Sequence, residues 1–423
     1  MSSLTKRKTL SKHSSAKIAW TNEDIRSTDD ISITMYWYII TMSWLGFFHP
    51  FKILKDGHKE IPLTKTKSSQ CRKTVMHFGF CFSLALLLGI HSIRTIVGIF
   101  VGDLLDETRN FKLVYSTWVT LCFVTSASIL YVSYKPEGIC VFFDQWNKSR
   151  EFAFTQLGIV TKTRTIKLKV KAYLIIALIL LAVNVAATGI LMFAGLGSAS
   201  DSFIFVFSAP FKPTTTVKVF VYLSNCISGI PWLFPVIFFV LICSILKDDM
   251  ETYNIFFNKQ TKDSNGKIGK DLTRLRLVHL ELCKTISSLD SSFSWLLFTW
   301  FVLNIANGCF IAFLLLNSSY DTFGTTVLVS WLITSFVYIC ATCISAAILH
   351  EKLTAHAPLE YLYDIDINDV KPEDQPQLYL FLSKLTSSSV GLTAFGLVTI
   401  TKELLLTLAG LYLTYFFLLL QFR

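Results

Sequence analysis

The chain has 423 residues, of which 52% are apolar, 14% aromatic and only 16% charged, whereas an ordinary soluble domain is about a quarter charged. Together with a mean hydropathy of +0.52, this excludes a soluble single-core protein and implies a polytopic membrane protein. The formal charge of +10 does not point to nucleic acid, because the basic residues fall almost wholly between the apolar runs, where the positive-inside rule accounts for them.

In chain order, residues 1–30 read as a polar cytoplasmic tail. Residues 31–53 are apolar but contain Gly46, His49 and Pro50 and run into a basic segment, so they are expected to dip into or lie along the membrane rather than cross it. They are no signal peptide, since a long polar stretch precedes them and no small-residue cleavage site follows. Apolar runs at 74–100, 113–134, 172–196, 219–246, 291–316, 325–349 and 403–422 are each long enough to cross about 30 Å of hydrocarbon as a helix. The expected fold is therefore an all-α membrane protein with seven transmembrane helices. Residues 74–349 hold helices one to six with their inner helical loops, 350–402 form an inner anchor segment, and 403–423 form helix seven.

Charge sets the orientation. Lys and Arg number 13 in residues 1–73, 8 in 135–171, 8 in 247–290 and 4 in 350–402, against five in the alternate set of connections and terminus. The N-terminus is thus cytoplasmic and the C-terminus extracellular, the reverse of a G-protein-coupled receptor. The sequon at Asn317 lies in a short outer loop, where a glycan can be added, while the one at Asn147 lies inside. No cysteine falls in an outer loop, so no external disulfide framework is implied.

Two inner connections are long. Leu272 to Leu289 places Leu275, Val278, Leu282 and Ile286 at helical spacing, which implies helices projecting into the cytoplasm. Residues 377–401, though broken by Ser387-Ser388-Ser389, Gly391 and Gly396, read as a membrane-proximal inner helix before the last span.

Signatures of chemistry fail one by one. His350-Glu351 opens like a zinc-peptidase helix, but Thr354 stands where the second histidine is needed. Asp364-Ile365-Asp366-Ile367-Asn368 resembles the start of a calcium loop, yet Asp369 replaces the turn glycine and Gln375 the bidentate glutamate. There is no phosphate-binding loop or nucleophile elbow, so neither an enzyme nor a metal or cofactor site is expected. Cys340 and Cys343 lie one turn apart on span six with no cation beside them to hold a thiolate, which favours packing over redox work. Lys402 opens the last span at the inner interface, too shallow for a buried retinal Schiff base. Arg94 lies within span one, where a charged residue marks a functional position unless it snorkels or pairs, for instance near Asp103. Asn184, Asn225, Asn304 and Asn307 can line an outer polar cavity with it or bond helices together.

The last span ends Thr414-Tyr415-Phe416-Phe417-Leu418-Leu419-Leu420-Gln421-Phe422. This pattern, TY, five apolar residues, then QF, resembles the C-terminal signature of the insect-type gustatory receptors. The seven spans, inner N-terminus, long inner loops and the Trp44-Leu45-Gly46 to Pro50-Phe51 segment extend the resemblance over nearly the whole chain. One departure is Thr399-Ile400-Thr401, where an acidic residue is expected.

The resemblance implies a tetrameric, stimulus-gated cation channel in the plasma membrane of sensory neurons, with the last helix of each of four subunits lining one pore. Independently, Glu403, Thr407, Leu411, Thr414, Leu418, Gln421 and Phe422 recur at steps of three or four and so share a helix face. Thr414 and Gln421 can contact a hydrated cation, and Leu418 or Phe422 can close the pore by dewetting. Within the family the chain is most similar to the nematode branch that contains the high-energy-light-unresponsive photoreceptor and a relative linked to light and peroxide. That likeness implies sensing of short-wavelength light or hydrogen peroxide through buried indoles, with Trp44, Trp295, Trp300 and Trp331 as candidates and no cofactor. The alternatives are a channel gated by a small-molecule tastant, or a receptor acting through a second messenger.

Overall fold

The structure, a computed structural model, describes residues 30–48, 67–101, 108–135, 138–160, 162–194, 197–263, 271–317, 320–355, 357–363, 370, 372, 374–386 and 390–421. The expectations for the N-terminal tail, His49 to Ile53, Asp103, the 364–369 acidic run, Ser387 to Ser389 and Phe422 fall outside these residues.

The described chain is helical apart from one two-stranded hairpin. Short helices α1 (Ile31–Thr34) and α2 (Tyr36–Trp44) precede α3 (Lys67–Phe100), α4 (Arg109–Tyr134), α5 (Ile139–Leu157), α6 (Thr163–Phe193), α7 (Gly197–Ser208), α8 (Thr215–Asp263), α9 (Asp271–Asn317) and α10 (Thr322–His350). A π-helical turn (Glu351–Ala355), α11 (Ala357–Tyr363), α12 (Gln375–Thr386), strands β1 (Thr393–Ala394) and β2 (Val398–Thr399), and α13 (Lys402–Gln421) complete the order. Among the described residues, six helices, α3, α4, α6, α8, α9 and α10, are long and apolar enough to cross a membrane. The 20 residues of α13 are about 30 Å long, just the thickness of the hydrocarbon. Each expected span coincides with one of these seven helices.

Among its described residues, the first apolar segment has no helix long enough to cross a membrane. Its longest helix has nine residues, about 14 Å, and it packs on the bundle. Tyr38 is fully buried, its ring 5.4 Å from that of Phe238 and its hydroxyl donating to the carbonyl of Phe234 at 3.0 Å. Phe234 stands between Pro231 and Pro235 within α8, where the prolines remove backbone donors and loosen the helix. Gly46 ends the segment at φ +80°, with Leu84 and Phe80 of α3 so close that a side chain would collide; the backbone turn there requires glycine. At the other end Asn147 accepts from the Ile31 amide at 3.0 Å and donates to Asp30 at 2.9 Å. The inner sequon asparagine is thus an internal bolt.

The long inner connections are helix, as the periodicity predicts. The 49 residues of α8 and 47 of α9 are each about 70 Å long, more than twice the hydrocarbon thickness. Their inner ends form the largest core, in which Phe257, Leu275, Val278, Ile286 and Leu289 pack with Leu378 and Phe381 of α12. Polar bonds pin it: Tyr253 donates to the Leu275 carbonyl at 3.0 Å, Asn254 to the Lys352 carbonyl at 3.0 Å, and His279 bonds the Leu353 carbonyl at 3.1 Å. One expectation changes. Residues 377–401 are not a single helix: α12 ends at Thr386, and residues 393–399 form the hairpin in antiparallel register Thr393↔Thr399. Gly396 takes φ +71° and Phe395 φ 54°, a tight reversal that a helix cannot contain.

Candidate functional site

The last helix is divided along its length. Leu404, Leu405, Leu408, Tyr412 and Tyr415 are half-buried and face α9 and α10, whereas Glu403, Thr407, Leu411, Thr414, Leu418 and Gln421, the face singled out by spacing, are all exposed in the single subunit. Leu406 and Leu413 on a further side are also open, at 72% and 60% exposure. The hydroxyls of Thr407 and Thr414 bond back to the carbonyls of Glu403 and Gly410 at 2.9 Å, which satisfies their donors within lipid and leaves their oxygens facing outward. A helix so apolar, resting on its own chain along one edge, has surface for neighbours on two sides.

Its base is tied to the inner core. Asp290 of α9 accepts from the Thr393 amide at 2.6 Å and from the Thr393 hydroxyl at 2.9 Å. The Phe395 amide donates to the Ser294 carbonyl at 3.0 Å, and its ring meets Trp295 at 5.1 Å and Phe298 at 5.8 Å. Lys402 pairs with Glu351 at 2.6 Å, joining the start of α13 to the end of α10, and His350 bonds the Val390 carbonyl at 3.0 Å. Higher up, Tyr412 donates to the Asn304 carbonyl at 3.2 Å and lies over Gly308, where an added Cβ would meet its hydroxyl at 2.8 Å. Any tilt of α13 must therefore move the hairpin, α9 or α10. Asp290, Thr393 and Phe395 were not legible as a unit, because more than ninety residues separate the first from the rest.

The five outer polar candidates do not share one place. Arg94 is buried and donates to the carbonyls of Ala209 at 2.6 Å and Phe207 at 2.9 Å, with His91 at 3.3 Å from its Nε. These carbonyls close the C-terminal end of α7, which lacks helical donors and carries partial negative charge, so the guanidinium caps it. Tyr115 links His91 to Asn225, contacting the first at 3.2 Å and donating to the second at 2.6 Å. Arg94 and Asn225 thus belong to one network, through two residues the sequence reading did not select. Asn184 packs against Gly229 where α6 crosses α8. Asn304 donates along its own helix to the Trp300 carbonyl at 2.8 Å, whereas Asn307 reaches Ser335 of α10 at 3.5 Å and so joins two helices. Asn317 is exposed at the outer end of α9.

The tryptophans divide against expectation. Trp44 is 78% exposed and Trp295 46% exposed in the subunit, because both lie on helix faces that the chain itself does not cover. Trp331 is half-buried in an aromatic cluster with Phe111, Phe203 and Phe207, its centroid distances running from 5.9 to 6.3 Å. Trp300 is fully buried and donates to Thr125 at 3.0 Å. A chain of rings leads away from it: Tyr338 at 5.9 Å, then Trp232 at 6.4 Å, then Trp118 at 6.1 Å.

This bundle of long helices, with inner extensions and an incompletely covered final helix, matches a known class. The sequence profile of the family described as 7tm chemosensory receptor matches residues 36–423, and the chain belongs to that family. No curated protein matches in sequence. Among solved structures, the chain is similar to the insect olfactory receptor OR5 from Machilis hrabei in complex with eugenol, with a TM-score of 0.63, 16% identity, and coverage of 93% of this chain and 100% of that one. A second structure of that receptor gives a TM-score of 0.60 and 15% identity over the same shares. At such identity the likeness speaks for the fold.

Proposed function

We propose that four copies of this chain assemble into a cation channel whose pore is lined by α13 and which opens when a small molecule binds among the outer halves of the helices. The observation that carries the reading is the open face of α13, where Thr407, Thr414 and Gln421 alternate with Leu411 and Leu418. Four such faces around an axis give polar rings separated by apolar constrictions, a geometry that passes hydrated cations when wide and dewets when narrow. Phe422 follows Gln421 at the outer end. Partner subunits cover the remaining apolar side of the helix. The stimulus region is the aromatic cluster of Phe111, Tyr115, Phe203, Phe207 and Trp331, bordered by the Arg94 network. Flat apolar molecules suit rings that meet edge to face as well as stacked. The Machilis receptor of similar fold is described with eugenol, which is such a molecule.

The test is current recorded from a cell that lacks related receptors. Gln421→Ala and Leu418→Ala are expected to change conductance or ion selectivity while surface expression stays intact; unchanged permeation in both removes α13 from the pore. A plasma-membrane location, a sensory-cell role and a glycan on Asn317 belong to the same reading.

A second reading, gating by short-wavelength light or its oxidant products, draws on the ring chain from Trp300 to Trp118. Its rings, three indoles and the Tyr338 phenol, follow one another at about 6 Å within the core. Ultraviolet flashes that evoke current lost in Trp300→Phe would favour it, and current evoked by a small molecule alone would reject it.

A further inference from the structure

The inner end of α6 carries a feature that channel formation does not use. Between Glu151 and Asp201 the chain has no acidic residue, yet residues 162–171 hold Lys162, Arg164, Lys167, Lys169 and Lys171. The positive-inside rule accounts for their side of the membrane but not for their arrangement. Lys169 turns inward and is neutralised, its ammonium 2.6 Å from Asp248 and 2.9 Å from the Ser244 hydroxyl. Lys162, Arg164, Lys167 and Lys171 are all exposed. Arg164, Lys167 and Lys171 are spaced by three and four, so they form one ladder on one face.

That face continues upward into exposed apolar residues: Leu168 at the level of the ladder, then Ile175, Leu178, Ile179, Ala182 and Ala186. The helix is the least buried of the six spans, so this surface meets acyl chains. From Lys171 to Phe193, the end of α6, the helix is about 33 Å long, which places Lys171 at the inner edge of the hydrocarbon. Lys167 and Arg164 follow one and two turns below, about 6 and 10 Å deeper into the headgroup layer. The charges thus sit at the depth of lipid phosphates, beside a lane for the tails.

We propose that this ladder is a binding site for an anionic phospholipid of the inner leaflet, its headgroup held by Arg164, Lys167 and Lys171 and its chains lying along Ile175 to Ala186. Juxtamembrane basic clusters attract such lipids, and a guanidinium with two ammonium groups on one face suits a phosphate that carries further negative charge. Because Lys169 on the opposite side locks α6 to α8 through Asp248, an occupied ladder would also steady that crossing.

The experiment uses the full-length protein reconstituted in phosphatidylcholine vesicles containing spin-labelled phosphatidylserine or spin-labelled phosphatidylcholine, with the motionally restricted fraction read by electron paramagnetic resonance. The wild-type protein is expected to restrict the serine lipid several-fold more strongly than the choline lipid. The combined variant R164Q, K167Q and K171Q is expected to bring the two to parity with an unchanged elution profile. Lys167→Gln alone should lose part of the preference, which keeps the test decisive should the triple variant fold poorly. Lys259→Gln, exposed far down α8 from the membrane, should lose none. No preference in the wild type, a preference retained in both ladder variants, or an equal loss in Lys259→Gln would overturn the site.

Discussion

The inner ends of α8 and α9 and the final helix α13 are both rich in leucine and phenylalanine, yet they end in opposite states. Leu272, Leu275, Val278 and Leu289 are wholly shielded by their own subunit, while Leu406, Leu411, Leu413 and Phe417 of α13 each show half or more of their surface. The difference follows from the solvent. Below the membrane an exposed leucine faces water and is driven inward, so apolar periodicity there reports packing. Within the membrane lipid tails cover a leucine as well as protein does, so an open apolar helix is stable alone and remains available to a neighbour. Stability is therefore concentrated in the inner body, while the last helix keeps apolar surface uncovered by its own chain.

That contrast can be broken at graded positions. The largest effect is expected in the inner body at Asp249, whose carboxylate accepts from the Trp146 indole at 2.9 Å and lies 3.8 Å from the buried Arg150 guanidinium. Asp249→Ala should cost about 3–5 kcal/mol, as removal of one partner of a buried ion pair does, and lower the thermal midpoint in detergent sharply. Arg94→Met comes next. It withdraws charged donors from two carbonyls that end α7, at about 1.5–3 kcal/mol for a hydrogen bond to a charged group. Hydrogen exchange at residues 197–208 should rise while the inner helices stay protected.

Asp290→Ala leaves the Thr393 amide without its acceptor, at about 1–3 kcal/mol. It is expected to shift the stimulus–response curve as well as the midpoint, because the hairpin leads directly into α13; Asp290→Asn, which keeps an acceptor, should retain most of both. The smallest effect on the subunit should come from Leu411→Ala on the open face of α13, within about 0.5 kcal/mol as at other uncovered positions. Its effect on current should nevertheless exceed that of any inner substitution which still folds. A large loss of subunit stability in Leu411→Ala would show that α13 is core and would end the comparison.

Much of this organisation was legible along the chain. Spans, their sidedness and the helical inner segment at 272–289 are local properties, set by run length, charge between runs and a recurrence of three and four. The polar stripe of α13 was legible for the same reason, and its exposure in the subunit agrees with it. The hairpin at 393–399 was not, since Gly391 and Gly396 mark only a break in a helix and give no sign that Asp290 waits to receive the turn. Tryptophan burial was not legible either. Trp44 and Trp300 have equally apolar neighbours in sequence, and only the packing of distant helices leaves one open and encloses the other.

By itself the sequence determined a membrane-spanning helical bundle, its orientation, and a polar stripe on its last helix, because hydropathy, charge and helical period act over a few turns of one chain. The tertiary structure alone decided which apolar faces are sealed, that Arg94 caps α7, that Tyr115 and His91 join it to Asn225, and that Lys169 turns inward while its neighbours stay outward. In lipid a sealed and an open helix are built from the same residues, so only the position of every other helix separates them.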